Sequence, residues 1–246
     1  MKLIKEEKLL FGLPIETEFG TLHQPKMKDF FYANLDYSKF LRAFSIKVDL
    51  LLEDPKDMKD FDIFLFQMTN SKESESLIVD LIDSLKLLYQ TDKVELKTIG
   101  EGLSNIGIFI DDKIFINRDN YSQLSSIVQI ILGDGNNILE AEKKKELDEL
   151  ELEFERRRRK AEKIKRERQK ELEKDKEVTT IYDLMNYIIH TDNSQFTYES
   201  IIELTIYQIK NTFNLYRQKE NYELLIDYKT GGYDIKDEIT HWFFKK

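Results

Sequence analysis

Between Glu140 and Glu177 the chain runs for 38 residues without a glycine or a proline and carries 14 acidic and 15 basic side chains. Such a segment cannot enter an apolar core, because desolvating that many charges costs more than packing returns. Whatever core the protein has must be built from the residues before it and after it. Glu, Lys, Arg and Leu dominate the segment, and pairs such as Glu140/Lys144, Glu155/Arg159 and Glu162/Arg166 stand four apart. That pattern predicts a long solvated helix, about 57 Å in length at 1.5 Å per residue. Leu147, Leu150, Phe154, Ala161 and Ile164 keep a heptad register, but Arg157, Arg168 and Glu171 occupy the remaining seam positions. Two readings stay open for residues 138–178, a single solvated helix and a weak coiled coil.

The charge within the segment is blocked. Six acids and no base lie between Glu146 and Glu155, and Arg156, Arg157, Arg158, Arg159 and Lys160 follow as five consecutive bases. Those five could contact a phosphate or an acidic partner. The competing reading is a helix face neutralised by acids one or two turns away, and the near-zero net charge of the segment favours it.

Residues 1–137 read as a compact α+β domain with a small sheet. Leu13 to Gln24 alternates around Gly20 like a short hairpin, and Pro25 sits where a helix can start. Asp36 is placed to cap a helix with Phe40, Leu41, Phe44, Val48, Leu51 and Leu52 on one broad face. Asp54-Pro55 ends it and opens the next, through Phe61, Phe64, Leu65 and Met68. Ser74 to Tyr89 aligns Leu77, Leu81, Leu85 and Leu88 on a third amphipathic helix. The texture then turns to short β-branched and aromatic runs, VELKTI, IGIFI and KIFIN, with Asp111-Asp112 as a turn between the last two. A helix from about Asn120 to Leu132 closes the region before a glycine- and asparagine-rich stretch.

Residues 179–246 read as a small helical bundle. Thr179 or Thr180 caps the first helix. Tyr198, Ile202, Ile206, Ile209, Phe213 and Tyr216 fall three or four apart, a helical stripe. Gly231-Gly232 stops it, and Asp234 caps a last helix with Ile235, Ile239, Trp242 and Phe243 on its apolar face. About 68 residues is a marginal size for independent stability, so docking or homo-oligomerisation is expected. The fold class that follows is α+β and mostly helical, in three regions.

Composition narrows the chemistry. The absence of cysteine removes disulfides, thiolate catalysis and cysteine-ligated metals. His23, His190 and His241 stand in no ligand spacing, and no phosphate-binding glycine loop occurs. We therefore expect no enzyme, no metal and no cofactor. No apolar run reaches the ~18 residues that a membrane helix needs, and the charged start at MKLIKEEKLLFG is unlike a signal peptide. A soluble intracellular protein is the expectation. A net charge of −9 argues against a general nucleic-acid binder.

One pattern goes further. Leu204-Thr205-x-Tyr207-Gln208, then Phe213, Tyr222, Gly232 and His241-Trp242, is similar to the C-terminal helical module of tail-region proteins from tailed phages of Gram-positive hosts. Gly12, Pro14, Ile15 and Gly20 resemble the short "G-x-P-I … G" hairpin near the start of the same group. Ile202 and Leu215 depart from it, where an aromatic and a basic residue are common. The resemblance implies a tail assembly chaperone or adaptor acting in the cytoplasm of the infected host, with tape-measure and tail-tube proteins as partners. A tail or baseplate subunit retained in the virion, and a nucleic-acid-associated coiled-coil protein, are the alternatives. Ile202, Ile209 and Phe213 are then most simply core. Tyr207 and Gln208, beside Asn211 and Asn214, point away from that stripe and are the expected partner contacts. Trp242 is equally suited to anchoring an interface and to closing its own bundle.

Overall fold

The computed structural model describes residues 4–48, 57–70, 74–102, 105–134, 179–192, 194–232 and 241. The charged segment at 138–178, with Arg156 to Lys160, lies outside the described residues, as do Leu51, Leu52, the Asp54-Pro55 boundary, Trp242 and the last apolar face.

The architecture is α+β and mostly helical, with two small antiparallel sheets. A short helix α1 (Glu6–Leu10) leads into a hairpin of β1 (Ile15–Thr17) and β2 (Gly20–Leu22), in which Ile15 pairs with Leu22 and Thr17 with Gly20. Gly20 has φ +86, and a Cβ there would stand 2.9 Å from Ile114 Cδ1. Only glycine lets the hairpin turn and lie that close to its neighbour. Helix α2 (Met27–Tyr32) follows, and then α3 (Tyr37–Ser45) begins where Asp36 accepts from Ser38 N at 2.6 Å, the cap read from sequence.

Helix α3 is shorter than the expected run. Its C-terminal carbonyls are taken by a later element: Tyr121 Oη donates to Ala43 O, while Ser125 Oγ and Gln129 Nε2 donate to Phe44 O. Ile46 is already extended, and Val48 N donates to Asp60 Oδ1 at 2.9 Å, so the backbone leaves the helix with its polar groups satisfied. Those capturing side chains belong to α6 (Tyr121–Ile131), which is reached through α4 (Asp60–Asn70), α5 (Ser74–Tyr89) and a meander of β3 (Val94–Thr98), β4 (Ile106–Ile110) and β5 (Ile114–Asn117). Asp111 and Asp112 both take positive φ in the β4–β5 turn. Leu81, Leu85 and Leu88 of α5 are fully buried, and the rings of Phe61, Phe64 and Tyr121 pack at 5.3–6.0 Å.

After the charged segment the chain returns to this same core. Thr180 and Asp183 form a capping box that starts α7 (Ile181–His190), and one turn of helix, α8 (Tyr198–Ile201), precedes α9 (Ile206–Thr230). Ile181, Met185, Ile188, Ile201, Ile206 and Ile209 are buried in one cluster with Phe30, Phe40 and Phe44. The first and third regions thus share a core.

The stripe read as one helix from Tyr198 to Tyr216 is broken. Residues 202–205 leave the helix, Tyr198 is exposed, and Thr205 starts α9 afresh. Helix α9 then extends for 25 residues, with its buried positions confined to the first turn, at Ile206 and Ile209.

Because Ile209 is fully buried in the shared core, Ile209→Ala should cost about 2–5 kcal/mol. In urea unfolding followed by far-UV circular dichroism, the whole transition should move to lower denaturant as one step. A variant that moved only a minor part of the signal would show that the two regions unfold separately.

Candidate functional site

The break at residues 202–205 is where the two ends of the chain meet. Met27 N donates to Leu204 O and Lys28 N to Ile202 O, each at 3.0 Å, and Lys26 pairs with Thr205 as an isolated antiparallel bridge. Met27 and Lys28 are the first two residues of α2, so their amides have no partner within it. Ile202 and Leu204 lie just past the end of α8, where carbonyls are likewise unpaired. Each end supplies what the other lacks.

Charge marks the same place. Glu203 accepts from Lys28 Nζ at 2.7 Å and from Lys26 Nζ at 3.0 Å. Hydrogen bonds from Lys28 and Lys26 hold the Glu203 carboxyl below its ordinary value, and the bond to Glu203 raises the Lys28 ammonium.

Next to this pairing the two motifs noted at opposite ends of the sequence touch. Gly12, at φ +63, would place a Cβ 3.2 Å from Thr205 Cγ2 and 3.6 Å from Gln208 Nε2. Thr205 and Gln208 form the capping box of α9: Gln208 N donates to Thr205 Oγ1 at 3.3 Å, and Thr205 N donates to Gln208 Oε1 at 2.8 Å. Gln208 Nε2 then donates to Leu10 O at 2.7 Å. One amide side chain therefore caps its own helix and ties α1 to it.

A third contact lies on the next turn. Lys210 Nζ binds Asp134 and sits 5.7 Å from the centre of the Tyr37 ring. Burial, and then the Asp134 charge, push the Tyr37 hydroxyl well above the usual tyrosine range. Tyr207 and Lys210 both pack beside Gly133. Further along, Tyr187 meets Phe213 edge to face at 4.9 Å and donates to Glu220; burial first and that carboxylate second push its hydroxyl up to about 12.

Of the residues expected to contact a partner, Gln208 has its amide engaged within the chain, and Tyr207 is half-buried beside α6. Asn211 is half-buried and Asn214 is exposed. Phe213 packs against the core as expected, and so does Ile202. Sequence spacing gave no sign of Glu203, Lys26 and Lys28 as a set, because a 175-residue separation hides an ion pair from any local pattern. Of the three histidines, His190 lies 3.2 Å from the Tyr198 hydroxyl, and His241 lies against the Tyr222 ring at 4.8 Å. Among the described residues no three His, Asp or Glu side chains gather in a way that could hold a metal, and no helix is long and apolar enough to cross a membrane.

A family model described as the YomV second domain matches residues 172–245. The matched family is of phage type. Its span begins just ahead of the Thr180 cap and takes in α7, α8 and α9, the elements that dock on the first region. No curated protein and no solved structure matches the chain.

Gln208→Ala removes a cap and the tie to Leu10 together, and it should cost about 1–2 kcal/mol in thermal or urea unfolding. The junction should also be sensitive to acid. Because the folded-state value of Glu203 is lowered, its contribution is complete above the ordinary glutamate value of 4.5 and is lost as pH falls through the lowered value. Glu203→Gln should flatten this acid limb in a stability-versus-pH titration. An unchanged limb would mean that other carboxylates govern it.

Proposed function

We propose that this chain is a non-enzymatic tail assembly chaperone or adaptor of a tailed phage. It acts in the cytoplasm of the infected host and binds tape-measure and tail-tube proteins. The observation that carries this reading is the meeting of Gly12 with Thr205 and Gln208. The two motifs that resemble phage tail-region proteins, separated by almost the whole chain, belong to one structural feature here. The phage-type likeness of residues 172–245 supports the same reading from a different direction.

The architecture suits such a role. A protein that holds another chain needs a stable body and a surface that its own fold does not use up. The shared core supplies the body. Helix α9 supplies an extended element whose later turns carry no buried residue and present Leu215 and Leu224 to solvent. Docking of a helical partner along such a helix follows the packing rules of helix pairs.

An assembly chaperone leaves when the particle is complete, and a structural subunit stays. Mass spectrometry of purified virions should find the chain absent, while pull-down from infected cells should recover it with the tape-measure protein. Stoichiometric presence in mature particles would contradict the chaperone reading and favour a tail or baseplate subunit.

A further inference from the structure

Helix α9 ends at a turn after which the chain comes back beside it. Gly231 N donates to Asp227 O at 2.8 Å and Gly232 N to Lys229 O at 3.2 Å, and Gly232 takes a left-handed φ of +88. Beyond that turn the His241 ring lies 4.8 Å from the ring of Tyr222, with the planes 56° apart. Tyr222 stands nine residues before Gly231, and His241 stands nine residues after Gly232. The two rings are therefore equidistant from the turn, the relation of facing residues in an antiparallel helix pair. The outgoing arm is helical and rises ~12 Å from Tyr222 to Thr230. The return reaches the same level in an equal number of residues, where an extended arm would overshoot about twofold.

The part of α9 it returns to has an apolar side. Tyr222, Leu225 and Ile226 stand three and four apart and are half-buried, while Leu224, on the opposite side, is exposed. These residues lie beyond Glu220, which Tyr187 of α7 contacts. The end of the sequence carries the matching pattern, with Ile235, Ile239, Trp242 and Phe243 at the spacing of one helical face. His241, next to Trp242, is exposed, as befits a residue at the rim of such a contact.

We propose that the last turns of α9, at Tyr222, Leu225 and Ile226, are the docking surface of the chain's own C-terminal segment, with Trp242 as its anchor. Apolar side chains at helical spacing on both arms bury one another, and the ring pair of Tyr222 and His241 sets the register. Trp242 then closes a contact within the chain and is not offered to a partner. An external helix is left the Leu224 side of α9. The inference goes beyond the adaptor reading and does not rest on it, since both surfaces belong to one chain.

Trp242 is the single tryptophan, so its fluorescence reports the contact in the full-length protein. Its emission should be blue-shifted from that of N-acetyltryptophanamide, and acrylamide should quench it several-fold less, both independently of protein concentration. Tyr222→Ala combined with Ile226→Ala should move the emission to the red and raise quenching several-fold. Leu224→Ala, on the other side of the same turns, should change neither. Tyr222 and Ile226 lie outside the shared core, so the double variant should keep the urea midpoint of the body. In the unaltered chain, nuclear Overhauser contacts should join the ring protons of His241 and Tyr222. Free quenching of Trp242 in the unaltered chain, absence of those ring contacts, or equal protection in the double variant would overturn the proposal. Protection that is lost on dilution would also overturn it, by assigning the face to a second copy.

Discussion

The backbone pairing of Met27 and Lys28 with Leu204 and Ile202 is the constraint on which the rest of the structure depends. Unpaired amides at the start of one short helix and unpaired carbonyls just past another are each costly when covered. Joined, they satisfy one another and fix how the third region sits on the first. From that seam follow the start of α9 at Thr205, the contact of Gln208 with Leu10, and the burial of Ile206 and Ile209. The Phe31–Tyr182 stack also follows, because it needs α7 held beside α2.

The magnitudes divide the work. Glu203 and its two lysines are substantially exposed, so water and salt screen these ion pairs and they add little to stability. Burying Ile201, Ile206 and Ile209 contributes roughly 1.5–3 kcal/mol each. Apolar burial therefore holds the junction together, while the amide–carbonyl pairing and Glu203 select its register. A slip of one residue along the pairing would remove Glu203 from Lys28 and turn the isoleucines out of the core.

Much of the local structure was legible because its causes are local. Asp36 and Thr180 announced their helices by their capping chemistry, and the four leucines of α5 announced theirs by spacing. The meander was readable from β-branched runs and the Asp111-Asp112 turn. What spacing could not show was any element decided by a distant partner. The break in the Tyr198–Tyr216 stripe carries one local signal, the Thr205/Gln208 capping box, which the apolar spacing masks, while the pairing of residues 202 and 204 with α2 is non-local. The early end of α3 is equally hidden, because Tyr121, Ser125 and Gln129 cause it from 78 or more residues away. Tyr207 and Gln208 were singled out as lying off the apolar stripe. Their actual neighbours, Gly12, Leu10 and Gly133, come from the other region. The separation of the chain into three regions by charge and composition carried no information on whether the outer two touch.

The central claim is that the two ends of one chain dock on each other through residues 26–28 and 202–205. The protein has no cysteine, so Lys28→Cys with Glu203→Cys provides a clean test. The two backbones run side by side there, with Lys28 N donating to the Ile202 carbonyl next to Glu203 at 3.0 Å. Mild oxidation of the dilute double variant should give an intramolecular disulfide in a monomer, read by non-reducing electrophoresis and peptide mass spectrometry. Thiols that stay free, or a disulfide formed only between chains, would contradict it.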